Sequence, residues 1–236
     1  MRAGGPNGGE RTVLIRIGSV VLEATLAIPN AARGLVLFAH GSGSSRHSPR
    51  NRHVAQSLRE GQLATLLLDL LSSDEEVIDV RTRQLRFDID LLADRLVGAT
   101  DWLANRPETR DLHVGYFGAS TGAGAALVAA AARPDRVDAV VSRGGRPDLA
   151  DEALPLVRAP TLLIVGGADE MVRELNEQAM ARMERAEVSL KIVPGATHLF
   201  EEPGAMEAVS LLARAWFVRY LGAAIKSSNR PPQPDE

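Results

Sequence analysis

Three side chains of this sequence have the types and the order needed to break an acyl bond: Ser120, Asp169 and His198. A serine hydroxyl is a weak nucleophile until a neighbouring base takes its proton. Ser120 lies in Gly118-Ala119-Ser120-Thr121-Gly122, between the apolar run Val114–Phe117 and the Ala-rich stretch Ala123–Ala132. This is G-x-S-x-G at a strand-to-helix turn, where a tight bend lifts the hydroxyl above a sheet and small neighbours let helix and strand approach. A glycine-rich turn binding phosphate at a helix N-terminus is the competing interpretation. The segment has neither the lysine of a P-loop nor the spacing of a dinucleotide fingerprint.

The base and its orienting acid are expected later in the chain, in the order acid then histidine. Thr161–Val165 runs into Gly166-Gly167-Ala168-Asp169, and Val188–Val193 runs into Pro194-Gly195-Ala196-Thr197-His198. Of five histidines, His113 opens the strand before the elbow and so lies at the wrong end. His53 falls in a helix, and His198 follows the last strand in a loop. Ser120 is expected to attack, His198 to carry the proton, and Asp169 to fix the imidazole. Glu170 is the alternative acid, whereas Glu201 and Glu202 read as first-turn charges before the last helix. For the developing oxyanion, the loop His40-Gly41-Ser42-Gly43-Ser44-Ser45 offers a backbone N–H at Ser42, or failing that Gly41. Thr121 N–H supplies the second.

These residues need a scaffold that presents strand ends. Val13–Ile17, Gly18-Ser19 and Val20–Ile28 predict a β-hairpin. Beyond it the apolar runs 35–39, 64–68, 114–117, 137–141, 161–165 and 188–193 read as strands buried on both faces. Helices are expected at 51–60, 82–104, 123–132, 171–183 and 205–221. The pattern predicts a doubly wound α/β fold with a mostly parallel sheet of about eight strands, an N-terminal antiparallel hairpin and helices on both faces. In such sheets ligands bind beyond the carboxyl ends of the strands, where Ser120, Asp169, His198 and the loop 40–45 fall. One domain is expected over 12–224, with disordered tails at 1–11 and 225–236.

F-A-H-G-S-G at 38–43, G-A-S-T-G at 118–122, G-G-A-D at 166–169 and G-A-T-H-L-F at 195–200 together resemble the α/β-hydrolase superfamily. The short chain resembles the dienelactone hydrolase family within it. The resemblance spans nearly the whole chain and implies the fold and the triad Ser120, Asp169 and His198. Dienelactone hydrolases proper carry a cysteine nucleophile; here Ser120 stands in that place and there are 0 cysteines. The expectation therefore moves from dienelactones toward small carboxylic esters in general, cleaved through an acyl-enzyme. Thioester, peptide or peracid chemistry on the same residues is the alternative, and a non-catalytic binding protein a further one.

The gap between the runs at 137–141 and 161–165 is too short for a cap domain, so the site is expected to be open. Loops 42–50, 70–82, 143–150 and 199–203 should shape it, with Leu70, Leu71, Leu199 and Phe200 as apolar members. Arg46, Arg50, Arg52, Arg143 and Arg146 are frequent in these loops and could hold a substrate carboxylate; Arg46, Arg50, Arg146 and Phe200 are the candidates carried forward. Asp74, Asp79, Asp88 and Asp148 are the alternative, structural partners for such arginines. Glu75-Glu76 reads as a solvated charge run.

Composition narrows the class. The formal charge is −3, from 27 basic and 30 acidic residues, which argues against nucleic-acid binding. Without cysteine there are no disulfides or thiolate metal sites, and His40, His47 and His53 lack a joining carboxylate cluster. No apolar run approaches the roughly 18–20 residues of a membrane helix, and residues 1–12 lack the apolar core of a signal peptide. The expectation is a cytoplasmic enzyme without cofactor or metal, monomeric or dimeric through the hairpin edge or last helix, with a small ester as its partner.

Overall fold

The structure, a computed structural model, describes residues 9–222. The hairpin consists of β1 (Arg11–Ile17) and β2 (Val20–Ala27), paired antiparallel across Gly18-Ser19. Arg11, assigned above to the tail, opens β1 and pairs with Glu108; Glu10 pairs with Arg52 and Arg59. The remaining tail positions, 1–8 and 225–236, lie outside the described residues.

After the hairpin come β3 (Gly34–Ala39), α1 (Pro49–Glu60), β4 (Leu63–Leu68), α2 (Ser73–Thr82), α3 (Ile89–Ala104), β5 (His113–Ala119) and α4 (Thr121–Ala132). Next are β6 (Val137–Arg143), β7 (Thr161–Gly166), α5 (Glu170–Arg182), β8 (Val188–Val193) and α6 (Ala205–Leu221). The eight strands order as β1-β2-β4-β3-β5-β6-β7-β8, with β2 antiparallel to β4 and parallel pairing from β4 through β8. β4 flanks β3 on one side and β5 on the other, so the winding reverses between β3 and β5. The crevice of a doubly wound sheet opens at that reversal, and the loops after β3 and β5 carry Ser42 and Ser120.

Both faces are covered, as buried central strands require. α1 and α6 close one face, packing Val54, Leu58, Val209 and Phe217 against Phe38, Phe117 and Val141. α3 and α4 close the other, with Leu92, Leu96, Leu103 and Leu127 against Leu37, Leu66 and Tyr116. α4 is Ala-rich and buried nearly all round, so its axis can lie close to the sheet. Between β6 and β7 there is only the 3-10 segment Pro147–Leu156, packed against α4 and α5. The site above the sheet therefore has no cap over it from this connection.

Three elements differ from expectation. The helix predicted over 82–104 begins at 89; Arg83 takes a left-handed conformation that ends α2, and a 3-10 turn at Leu85–Phe87 follows. α2 itself occupies most of the expected loop 70–82 and starts with a capping box in which Ser72 and Glu75 satisfy each other's backbone N–H. β8 is an edge strand, half-buried or exposed along most of its length, and not buried on both faces.

Candidate active site

The turn that carries Ser120 follows from its neighbours. Ser120 sits at φ 50°, ψ −122°, a conformation that an L-residue adopts only when its surroundings enforce it. A Cβ at Gly118 would lie 2.4 Å from the Ala123 Cα, and one at Gly122 would lie 2.4 Å from the carbonyl oxygens of both Ala39 and His40. Glycine at both positions thus lets α4 start directly against the ends of β5 and β3. Such strain is of order 1–3 kcal/mol and is tolerated where it aims a group. Here it aims the Ser120 hydroxyl out of the sheet.

His198 Nε2 lies 3.3 Å from Ser120 Oγ. Its Nδ1 lies 2.7 Å from Asp169 Oδ2. With the carboxylate as acceptor, Nδ1 carries the proton and Nε2 is left to accept from the serine. Asp169 occupies the N-cap position of α5 yet makes no side-chain cap there; its carboxylate is turned to His198 instead. The adjacent Glu170 is exposed in the first turn of α5, so the geometry selects Asp169 of the two acids. Thr197 and Glu202 pin the His198 loop, the threonine hydroxyl donating to Glu202 Oε1 at 2.6 Å. Glu201 pairs with Arg50, and α6 begins only at Ala205. Both glutamates thus lie just before that helix.

The loop after β3 is fastened by a half-buried histidine that sequence reasoning left without a role. His40 Nε2 accepts the Leu70 N–H at 3.1 Å, so Nδ1 bears the proton and donates to the Gly41 carbonyl at 3.0 Å. Burial holds His40 below the ordinary histidine range, opposed by the Gly41 carbonyl and by the charges of Asp69 and Glu76. Ser42 N–H donates to Thr121 Oγ1 at 2.9 Å. That amide is thus engaged, contrary to the simple expectation of a free donor. Thr121 N–H, first in its helix, has no intrahelical acceptor.

A cavity of about 210 Å³ opens beside Ser120 and His198. That is below the roughly 300–1,000 Å³ common for ligand pockets, which suits a small substrate. Of the predicted substrate residues, Arg50 lines this cavity; Arg46, Arg146 and Phe200 do not. Arg46 is consumed by Asp69 and Glu23, and Arg146 by a two-pronged pair with Asp148. Phe200, at φ 55°, turns into the core and is 1% exposed, leaving Leu199 at the cavity wall. Arg143, not among the candidates carried forward, also lines it.

Among the described residues no group of three or more His, Asp or Glu converges as a metal site would. No helix among them is long and apolar enough to cross a membrane.

The model of the dienelactone hydrolase family matches residues 23–221. A dienelactone hydrolase structure from Anabaena variabilis is 63% identical, with a TM-score of 0.90 over 91% of this chain and 99% of that one. A Xanthomonas campestris structure, described as an α/β serine hydrolase without lid, shares the fold at 21% identity. Its TM-score is 0.72, over 94% of this chain and 100% of that one. Two Mycobacterium tuberculosis proteins, provisionally named phosphoribosyl transferases, are each 57% identical over 212 residues, or 90% of this chain and 47% of theirs. The chain thus spans about half the length of these curated relatives. A family match from within β2 to the end of α6, joined to this fold and this elbow, makes the chain a member of the dienelactone hydrolase family, with an α/β-hydrolase fold.

Proposed function

We propose that this protein is a serine hydrolase that cleaves small carboxylic esters through an acyl-enzyme. The observation that carries this reading is the relay itself: Asp169 Oδ2 2.7 Å from His198 Nδ1, His198 Nε2 3.3 Å from Ser120 Oγ, and Ser120 strained at φ 50°. The Ser120–His198 distance is slightly long, as is common before substrate tightens such a contact.

In the forward step Ser120 Oγ attacks the ester carbonyl while His198 Nε2 takes its proton. The tetrahedral intermediate collapses as His198 returns that proton to the leaving alkoxide, releasing the alcohol. Water then attacks the acyl-enzyme by the same route and frees the acid. Asp169 stays ionised and stabilises the imidazolium. The Thr121 N–H, at the positive end of α4, faces the developing oxyanion, and Ser42 N–H joins it by turning from Thr121 Oγ1. Each such donor is worth about 3–4 kcal/mol of barrier.

The name of the M. tuberculosis relatives describes proteins of which more than half lies outside this match. Hydrolysis, carried by the relay, is the reading for this chain. Turnover of an activated ester such as p-nitrophenyl acetate by wild type and Ser120→Ala tests it. The variant is expected to fall to near background, and full turnover in Ser120→Ala contradicts the reading.

A further inference from the structure

The cavity beside Ser120 contains a cation, Arg143, that has no counter-ion among the described residues. Arg143 ends β6, next to the elbow: it is the register partner of Ala119, and its carbonyl accepts the Ser120 N–H at 3.3 Å. Its side chain is 7% exposed, and its Nε is buried without a hydrogen-bond partner. Among the described residues no ion pair or hydrogen bond involves its guanidinium, and the Phe200 ring lies 5.7 Å from its Cζ. An arginine so placed is unusual, because burying a charge is unfavourable by several kcal/mol unless a partner offsets it. The charge that acts on it, Arg50, is of the same sign. Burial and the Arg50 guanidinium together push Arg143 down to about 10, still protonated at neutral pH.

The cavity wall holds further donors, together with two acceptors, His198 Nε2 and Asn51 Oδ1, the latter buried without a partner among the described residues. Arg50 lines it from the first turn of α1, where only the exposed Glu201 engages it, at 3.0 Å. Ser48, the N-cap of α1, accepts the Asn51 N–H through its hydroxyl oxygen and keeps its own proton to give. Ser44 lies beside it. The positive end of a twelve-residue helix thus points into the same space as two guanidiniums. Nothing on the cavity wall carries a negative charge.

We infer that the substrate of the proposed esterase bears a phosphoryl group, held in this cavity by Arg143, Arg50 and the N-terminal turn of α1 while Ser120 attacks the ester. This assignment rests on the serine-hydrolase reading for the word substrate, but the anion site stands on its own geometry. A carboxylate has two oxygens and one charge. Two guanidinium forks, two hydroxyls and a helix terminus supply more donors and more positive potential than it can use, and match a dianion with three terminal oxygens. The phosphoryl group is a handle and is not itself cleaved.

The test reads binding without turnover. Phenyl phosphate and benzoate are titrated calorimetrically at pH 8 into wild type, Arg143→Gln and Glu201→Gln. Phenyl phosphate is expected to bind at least about tenfold more tightly than benzoate, a difference equivalent to about 1.4 kcal/mol. Arg143→Gln is expected to weaken it about tenfold or more, while thermal stability holds or rises because an unpaired buried charge is gone. Glu201→Gln, on an exposed side chain, is expected to tighten it severalfold by releasing Arg50. Absence of phenyl phosphate binding, equal binding of benzoate, or a Glu201→Gln variant with unchanged or weaker affinity would each overturn the assignment. An inactive serine would leave these titrations unaltered, so failure of the esterase reading and failure of the anion site are separately visible.

Discussion

Gly122→Ala isolates the demand that the elbow makes on the sequence. The added methyl would sit 2.4 Å from the carbonyl oxygens of both Ala39 and His40 and 2.8 Å from the Ala39 carbonyl carbon. These are backbone atoms, about 1 Å inside ordinary contact, and overpacking of this kind typically destabilises by about 1–3 kcal/mol. They cannot easily retreat, because His40 ties the loop to both Gly41 and Leu70. Because two backbone oxygens are met at once the cost falls at the top of that range, and alanine returns up to about 1 kcal/mol through helix propensity, so a net loss of about 2 kcal/mol is expected. In a chain of this size that lowers Tm by about 4–8 °C. The displaced segment also carries Ser42, and a shift near 1 Å in catalytic geometry can lower the rate about 100-fold. Thermal unfolding and kcat/KM on an activated ester measure both effects. Gly98→Ala is the control for overpacking away from the site: it too is in a helix, and the three atoms nearest its Cβ all belong to the Ile17 side chain on β1, at 2.6–2.9 Å, so stability is expected to fall while kcat/KM holds. If Gly122→Ala matches Gly98→Ala in both Tm and kcat/KM, the close approach of α4 to β3 does not position the site.

Asp169→Asn should leave the fold intact and lower kcat by on the order of 10⁴-fold, since the amide would favour the wrong imidazole tautomer. Glu170→Gln, one residue away and exposed, should stay close to wild type in the same assay; equal losses in the two would contradict the assignment of the acid. His40 couples pH to stability. Its folded pKa is lowered from 6.5 by burial, so the unfolded chain binds the proton more readily. The stability it contributes is complete above about 6.5 and declines as pH falls from there through its folded value. Denaturant unfolding between pH 8 and 5 should show this decline, smaller in His40→Gln, whose side chain can neither charge nor repel the Leu70 N–H through a ring proton. A pH slope identical in the two proteins would show that His40 is not the group responsible.

What sequence alone revealed, and what it concealed, has a physical pattern. The central strands and α4 were readable because burial on all sides demands unbroken apolar or Ala-rich runs, as at 35–39 and 121–132. That Ser120, Asp169 and His198 would come together was readable because each follows a strand at the carboxyl edge, where the loops are short and the neighbours small. α2 was hidden because it exposes Val77, Ile78 and Val80 with no apolar stripe. Its capping box at Ser72 and Glu75 was the signal available, and Glu75, read as solvated, also pairs with the buried Arg95 at 2.6 Å. Lys191 within the run 188–193 was likewise a sign of an edge strand. The fates of the arginines were not legible. Whether Arg46 meets Asp69 or a substrate depends on how the β3 and β4 loops fold together, 23 residues apart in sequence. Arg143 could be singled out only once its lack of any partner was visible.

The central claim is that Ser120 is a nucleophile activated by His198. A fluorophosphonate probe, which reacts with serines so activated, tests it most directly, with the modified residue located by mass spectrometry. The account predicts labelling at Ser120 in the wild type and none in a folded His198→Ala variant. Folded wild-type protein that takes no label, or takes it at another residue, would contradict it.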